Sequence, residues 1–157
     1  MMALHHVGIT VRTLRESVDF YRRLLGCTVR GESMSSGEDV GMLTGHAGAR
    51  LAIADLDLPD GGALELIQYL EPQSAPLQQE RSQPGHTHIA FLTGDVDAAY
   101  RRCVEQGISP TSPPVEVVDP GGEWDGARAF YATDPDGRTI EFVTMRAQPP
   151  ALSAAAS

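Results

Sequence analysis

The sequence predicts an α+β fold made of two βαβββ modules in one chain. The first observation behind this prediction is an internal repeat, because a shift of 82 residues places His6 on His88 and Leu14 on Val96. The second observation is the order of the periodic segments within each copy. A short strand with alternating apolar residues comes first, one segment with helical apolar spacing follows, and three further strand-like segments complete the copy.

The first copy begins with a strand at about Val7–Val11. The following helix is expected to start at Thr13, which forms a capping box with Glu16, and to stop at Gly26. The scattered glycines between residues 31 and 48 are interpreted as turns. Three strands are predicted after the helix, at about Thr28–Ser35, Arg50–Asp57 and Ala63–Leu70.

The second copy follows the same plan. Asp95 is the expected N-cap of its helix, and Gly107 is the expected stop. Its strands are predicted at about Pro114–Val118, Ala127–Thr133 and Arg138–Met145. The chain is therefore divided into a first module at residues 1–71, a linker at 72–85, a second module at 86–146, and a tail at 147–157 that is predicted to be disordered.

Composition restricts the possible partners and the compartment. The 157 residues carry a net charge of −9 without a basic patch, which argues against a nucleic-acid partner. No segment approaches the roughly 20 apolar residues of a membrane-spanning helix, and the N-terminus lacks the pattern of a signal peptide. We therefore expect a cytoplasmic protein with no nucleic-acid or membrane partner. Cys27 and Cys103 fit small buried residues in a reducing compartment, although the sequence leaves a bridge between them open.

Four charged or titratable residues interrupt the apolar strands in the same order in both copies. They are His6 and Glu65 in the first copy, 59 residues apart, and His88 and Glu141 in the second, 53 residues apart. Side chains alternate between the two faces of a strand, so all four are expected on the face away from their bulkiest apolar neighbours. An unpaired buried carboxylate is costly, and the repeated order therefore suggests a metal site built by a duplicated unit.

Imidazole nitrogens and carboxylate oxygens suit a divalent ion such as Mn, Fe, Co, Ni or Zn, and the lack of thiolate ligands disfavours a closed structural zinc site. Four ligands would leave one or two positions for water or a substrate oxygen. Such an ion can stabilise an enolate oxygen while a nearby carboxylate moves the proton. The alternative interpretation is that each histidine is an ordinary core residue and that each glutamate faces solvent.

Five other residues are weaker site candidates. His5 is expected to be packed or partly exposed, and His86 is expected in a solvated loop, with a substrate contact open because it shares the parity of His88. Tyr131 could line a pocket or belong to the core. Arg50 and Arg128 could pair with a substrate carboxylate or phosphate, although a surface role fits both.

Five segments resemble the vicinal oxygen chelate superfamily, also called the glyoxalase/bleomycin-resistance/dioxygenase family. They are Leu4–Val11, Ser17–Gly26, Leu64–Leu66, His88–Phe91 and Asp134–Phe142. The resemblance implies paired βαβββ modules that form a curved mixed sheet, a cup with the helices outside, usually in homodimers. It also implies that His6, Glu65, His88 and Glu141 hold one divalent metal ion per site.

Within that superfamily the four-residue set is similar to the glyoxalase I and methylmalonyl-CoA epimerase branches. The resemblance implies an isomerase, epimerase or lyase that works through a metal-stabilised enolate of a small carbonyl or thioester substrate. Glu141 is the first candidate for the catalytic base and Glu65 the second. The chain departs from glyoxalase I at residues 67–69 and from the epimerase at residues 134–137, so neither substrate carries over.

Two other functions stay open at this point. A protein that binds an antibiotic or metabolite could use the same cup, although such members generally lack the metal residues. An Fe(II) extradiol-type dioxygenase needs three open positions on the ion, and a carboxylate at Glu65 would take one of them. The sequence also leaves open whether the two modules meet within one chain or across a dimer.

Overall fold

The computed structural model of the protein describes residues 1–75 and 80–146. These residues fall into two compact units, and each unit contains one four-stranded mixed sheet. The predicted α+β class with two βαβββ-like modules is therefore confirmed. The predicted tail, 147–157, and residues 76–79 of the predicted linker lie outside the described residues, and the exact module boundaries stay predictions.

The first unit contains four strands and two helices. Its elements in chain order are β1 (Val7–Thr10), α1 (Leu14–Leu25), β2 (Thr28–Ser36), α2 (Glu38–Thr44), β3 (Arg50–Asp57) and β4 (Ala63–Glu71). The strands are ordered β1-β4-β3-β2 across the sheet. The β1–β4 pair is parallel and the other two pairs are antiparallel. The first and last strands of the unit thus lie side by side, although more than fifty residues separate them.

The second unit repeats this arrangement with one helix among its described residues. Its elements are β5 (His88–Leu92), α3 (Val96–Glu105), β6 (Val115–Glu116), β7 (Arg128–Thr133) and β8 (Thr139–Thr144). The strand order is β5-β8-β7-β6, with β5 and β8 parallel. The equivalent strand pairs of the two units, β1–β4 and β5–β8, are therefore built in the same way.

Each sheet buries one face beneath its helix. In the first unit α1 packs on β3 and β4, and Leu64 and Leu66 of β4 are completely buried together with Tyr21 of α1. Glu65 lies between the two leucines, so its side chain takes the opposite face of the strand. Truncating either leucine to alanine would cost about 2–5 kcal/mol, which shows how strongly this packing fixes the face that Glu65 occupies.

The start of α1 differs from the predicted capping box. Thr13 is the N-cap residue, but its side chain makes no capping hydrogen bond. Instead, the backbone N–H of Leu14 donates to the side-chain oxygen of Gln68 on β4, at 2.9 Å. A side chain from the sheet thus satisfies one of the free N–H groups of the first helical turn. The predicted stop is confirmed, because Gly26 has the left-handed φ of 74° that a C-terminal glycine adopts.

The predicted cap of α3 is confirmed. Asp95 accepts a hydrogen bond from the backbone N–H of Ala98 at 2.9 Å, and Gly107 follows the helix with a left-handed φ of 74°. Beneath this helix Phe130 and Phe142 stack with ring centroids 5.2 Å apart. Across the described ranges, the helices contain 12, 7 and 10 residues, and none is long and apolar enough to cross a membrane.

Helix α2 was not predicted, because its glycines were interpreted as turns. Two of those glycines lie at its ends, where Gly37 and Gly45 have positive φ values of 126° and 74°. The third, Gly41, lies inside the helix, where an added Cβ would come within 3.3 Å of the carbonyl oxygen of His46. Glycine avoids a tight contact with the backbone here, and sequence alone does not distinguish this from a turn.

Strand β6 is shorter than predicted, with two residues instead of the five from Pro114 to Val118. Proline has no N–H to donate, so Pro114 cannot donate a strand hydrogen bond at the position before Val115. Beyond Glu116 the pairing becomes irregular, since Val117 donates to the carbonyl of Ala127 and accepts from the N–H of Gly126. The other predicted strands agree with the structure to within one or two residues at each end.

Candidate functional site: two histidine–glutamate pairs

The first pair lies on the exposed face of the first sheet. His6 immediately precedes β1, and Glu65 is the third residue of β4. The parallel register places Gly8 beside Glu65, two residues after His6. The Nε2 atom of His6 and the Oε2 atom of Glu65 are 3.5 Å apart, and their side chains are 36% and 27% exposed. The prediction that these two side chains share the face opposite the core is confirmed for this unit.

The second pair has the same construction. His88 is the first residue of β5, and Glu141 is the third residue of β8. Ala90 lies beside Glu141 in the parallel register, again two residues after the histidine. The His88 Nε2 atom lies 3.1 Å from the Glu141 Oε2 atom, and Glu141 is the more enclosed partner, with 12% of its side chain exposed against 43% for His88. Each unit therefore contributes one imidazole and one carboxylate from equivalent positions.

A small residue keeps space open in front of each carboxylate. A Cβ added to Gly8 would lie 3.8 Å from the Oε2 atom of Glu65, which is ordinary contact distance. Ala90 occupies the equivalent position beside Glu141. A larger side chain at either position would extend past the Cβ toward the carboxylate. The small residues thus leave the oxygen atoms approachable from the exposed face of the sheet.

The donor atoms of each pair fit a divalent ion. Two ligands at the usual zinc–nitrogen and zinc–oxygen distances of about 2 Å are separated from each other by about 3 Å when they occupy adjacent positions. The observed separations of 3.5 and 3.1 Å match that spacing, and both pairs turn the imidazole Nε2 toward the carboxylate. The same distances suit a hydrogen bond or an ion pair when no metal is bound.

Within residues 1–75 and 80–146, no group of three or more histidine, cysteine, aspartate or glutamate side chains is placed to hold a metal ion. The structure thus describes two separate pairs, one in each unit. The complete set of His6, Glu65, His88 and Glu141 as ligands of one ion stays a prediction.

His5 is exposed and interacts with the first pair. Its Nδ1 atom lies 2.8 Å from the Nδ1 atom of His6, so one nitrogen donates and the other accepts. This bond leaves Nε2 of His6 directed at Glu65. A donated Nδ1–H is the arrangement that prepares a neutral imidazole to bind a metal through Nε2. The sequence placed His5 among packed or partly exposed residues and gave no sign of this contact.

Tyr131 lies beside the second pair. It is the register neighbour of Glu141 on β7, and its ring contacts the His88 ring edge-on at a centroid distance of 5.6 Å. The pKa of the Tyr131 phenol is raised, first by burial and then by the charge of Glu141, while Arg81 partly offsets both effects. Of the two roles that the sequence left open for Tyr131, the structure supports a position at the candidate site.

Arg81 and Thr139 were missed by sequence reasoning. The Nε atom of Arg81 donates to the hydroxyl of Thr139 at 3.2 Å, and its guanidinium lies over the Tyr131 ring at 5.7 Å. The same hydroxyl lies 3.3 Å from Nε2 of His86. Parity gave a usable signal for Thr139, which lies two residues before Glu141 on the same face. Arg81 precedes β5 in an irregular segment, where no periodicity applies.

The two arginines singled out from the sequence are engaged elsewhere. Arg128 lies on the helix side of β7 and forms a bidentate pair with Asp97 of α3, with one N–O distance of 3.0 Å. That hydrogen bond is the main reason why the pKa of the Asp97 carboxyl is lowered. Arg50 pairs with Glu71 of the neighbouring strand at 3.0 Å. Both arginines therefore have the surface role that the sequence favoured.

Comparison with known proteins finds relatives that match most of the chain. The sequence is 30% identical to 2-epi-5-epi-valiolone epimerase from Actinomyces sp. over 95% of this chain and 82% of the relative. It is 27% identical to the uncharacterized protein YwbC of Bacillus subtilis, over 88% of this chain and 94% of that protein. A glyoxalase family protein from Bacillus cereus has the same fold, with a TM-score of 0.79 and 22% identity over 92% of this chain and 95% of that structure.

The model of one protein family matches residues 3–142 and thus spans both units and both histidine–glutamate pairs. Its members bind small molecules and often bind divalent metals. By that match, and by its identity to the epimerase, the chain belongs to the glyoxalase/bleomycin resistance protein/dioxygenase superfamily.

Proposed function

We propose that the protein is a metal-dependent isomerase or epimerase, or a lyase, that moves a proton next to the carbonyl group of a small substrate. The observation that carries the proposal is the duplicated pair, with His6 facing Glu65 and His88 facing Glu141 at metal-ligand spacing on the exposed sheet faces. The similarity to an enzyme named as an epimerase supports this class of reaction. The proposal makes these four side chains the ligands of one divalent ion, with the native metal among Zn, Ni, Co, Mn and Fe.

The metal would supply Lewis-acid stabilisation for negative charge on the substrate oxygen. The protein's own residues must then remove and return the proton. Glu141 is the favoured base because its side chain is the more enclosed carboxylate and because Tyr131 and His88 surround it. Glu65 is the second candidate, with a more exposed side chain.

The proposal includes the homodimer expected from the family resemblance. Each unit supplies half of the ligand set, and the two halves of one site would come from the same chain or from two chains. A mixture of two inactive variants, His6→Ala and His88→Ala, separates these arrangements. Mixing restores one intact ligand set if sites form between chains, and restores none if each chain builds its own site.

The test of the reaction is hydrogen exchange with solvent. Metal-loaded protein in heavy water is incubated with 2-substituted thioesters and with 2-epi-5-epi-valiolone, and deuterium incorporation is followed by NMR or mass spectrometry. We expect exchange at the carbon next to the carbonyl, lost in Glu141→Gln and retained in Glu71→Gln, which changes an exposed glutamate of β4 paired with Arg50. Absence of exchange across the whole panel would count against the proposal.

The same variants distinguish an enzyme from a sequestering protein. A protein that only binds an antibiotic or metabolite would retain its affinity in Glu141→Gln and turn over none of the panel. Oxygen uptake that requires Fe(II) would instead indicate dioxygenase chemistry. Each of these results would replace the proposed reaction with a different one.

A further inference from the structure

We propose that Arg81, together with the Tyr131 ring, forms a binding subsite for an oxyanion, a carboxylate or phosphate group of the substrate. This inference rests on the proposed function, because it names the substrate class of the same site: a small carbonyl compound that carries an anionic group. The subsite lies in the second unit, next to the His88–Glu141 pair.

Arg81 is held in place by neutral partners. Its Nε atom donates to the Thr139 hydroxyl at 3.2 Å, and its NH2 atom donates to the Thr111 hydroxyl at 2.9 Å. These two bonds tie the planar guanidinium to two different segments of the unit, and the Tyr131 ring lies beneath it at 5.7 Å. The side chain is thus oriented before any ligand arrives, which lowers the entropy that binding would cost.

The charge of Arg81 is not neutralised by a carboxylate within the described ranges. Arginines elsewhere in these ranges form ion pairs, including Arg30 with Asp57, Arg101 with Asp95 and Arg128 with Asp97. The contacts of Arg81 are two hydroxyl groups and an aromatic ring. A guanidinium that is fixed but unneutralised has the donor geometry for a bidentate carboxylate or phosphate.

Arginine is the only permanently charged cationic side chain in the sequence. It contains twelve basic residues, all of them arginine, so an oxyanion that is bound by a charged side chain must be bound by arginine or by a protonated histidine. The net charge of −9 repels anions from the molecule as a whole. An anion is therefore attracted locally at a fixed arginine and repelled from the rest of the molecule.

The subsite is connected to the proposed reaction centre through one aromatic ring. Tyr131 lies between Arg81, 5.7 Å from its ring centre, and His88, whose ring centre is 5.6 Å away. Thr139, which positions Arg81, is also the register neighbour of His88. A substrate with its oxyanion on Arg81 could thus place a carbonyl group, a few bonds away, next to Glu141. The substrate class that follows is a small keto acid, an acyl thioester with a free carboxylate, or a phosphorylated ketone.

The direct test is anion binding followed at the arginine side chains. Full-length protein is titrated with inorganic phosphate and, separately, with malonate, and the Nε–Hε resonances of the arginines are recorded by NMR in the metal-loaded and the chelator-treated protein. We expect the Arg81 resonance to shift with saturation in at least one titration. The probe that saturates it identifies the preferred oxyanion.

Variants decide whether the binding belongs to Arg81. Arg81→Gln should weaken the preferred anion about tenfold or more, while Arg81→Lys retains part of the affinity because it keeps the charge and loses the two-armed geometry. Arg101→Gln is the matched control, since it removes the same charge from an exposed arginine of α3 in the same unit, and it should change the affinity less than about twofold. Equal losses in Arg81→Gln and Arg101→Gln, or no response of Arg81 to either anion, would overturn the proposal.

Metal content separates the two proposals. Arg81→Gln should bind as much metal as the wild-type protein, because Arg81 contacts none of the four proposed ligands. Arg81-dependent anion binding in a protein that holds no metal would reject the proposed function and leave the subsite standing. Normal metal content and proton exchange without any Arg81-dependent anion binding would reject the subsite and leave the proposed function standing.

Discussion

Removing the hydroxyl group of Thr139 tests how much its two hydrogen bonds stabilise the second unit. Thr139 is 2% exposed, and its hydroxyl bonds both Arg81 Nε and His86 Nε2. Thr139→Val keeps nearly the same volume and the β-branched shape that suits a strand, so the change isolates the two hydrogen bonds. A net hydrogen bond contributes about 1 kcal/mol and one to a charged donor about 1.5–3 kcal/mol. Because Arg81 is exposed, each bond is expected to contribute near the lower end of its range. Together they should lower the free energy of unfolding by about 2 kcal/mol.

Chemical denaturation followed by circular dichroism measures this loss, and a thermal melt should fall by about 2–4 °C per kcal/mol for a chain of this size. Thr111→Val is the matched control, since it removes one hydroxyl contact with the same arginine. That contact is exposed and water replaces it, so the cost should stay below about 1 kcal/mol despite the charged donor. The reasoning is refuted if Thr139→Val is as stable as the wild-type protein, or if it costs no more than Thr111→Val.

Three further predictions concern single residues. Gly8→Val should lower metal affinity roughly tenfold, because the added methyl groups would press on Glu65. Gly8→Ala adds only a Cβ at 3.8 Å from the Glu65 carboxylate and should bind metal normally. A titration with Co(II) compares the two variants, and equal affinities would contradict the steric argument. His5→Phe removes the nitrogen partner of His6 and should weaken metal binding by about tenfold in the same titration, with an unchanged affinity showing that His5 has no positioning role. Burial raises the pKa of the Cys103 thiol to about 11 from 9.0, so the folded state favours the protonated thiol. The resulting contribution to the free energy of unfolding is complete below pH 9 and is lost between about pH 9 and pH 11, by roughly 2–3 kcal/mol at most. Denaturation at pH 8 and pH 10.5 should therefore show a steeper decline for the wild-type protein than for Cys103→Ala, and parallel declines would exclude the effect.

Much of the fold could be predicted because the strands and helices obey local periodicity. Alternation along β4 and β8 fixes the faces of Glu65 and Glu141, and the 82-residue repeat links His6 to His88 from spacing alone. Burying Leu64 and Leu66 beneath α1 then leaves no other face for Glu65. Local pattern and core packing therefore agree on the placement of each histidine–glutamate pair.

The features that were missed depend on contacts between distant segments. The cap of α1 comes from Gln68, 54 residues along the chain, because the sheet brings that side chain to the first helical turn. Arg81 reaches Thr139 across 58 residues from a segment without periodicity. Neither contact leaves a trace in spacing or composition, since both depend on where a flexible side chain can reach once the sheet has formed.

Metal content is the measurement that tests the central claim most directly. The protein is loaded with Zn(II), Ni(II), Co(II), Mn(II) or Fe(II), passed through a desalting column, and analysed by plasma mass spectrometry together with His6→Ala, Glu65→Ala, His88→Ala and Glu141→Ala. His46→Ala, which changes an exposed histidine outside both pairs, is the control. The account predicts about one ion per proposed site in the wild-type and control proteins, and a clear loss in each of the other four. Unchanged metal content in all four variants would contradict it.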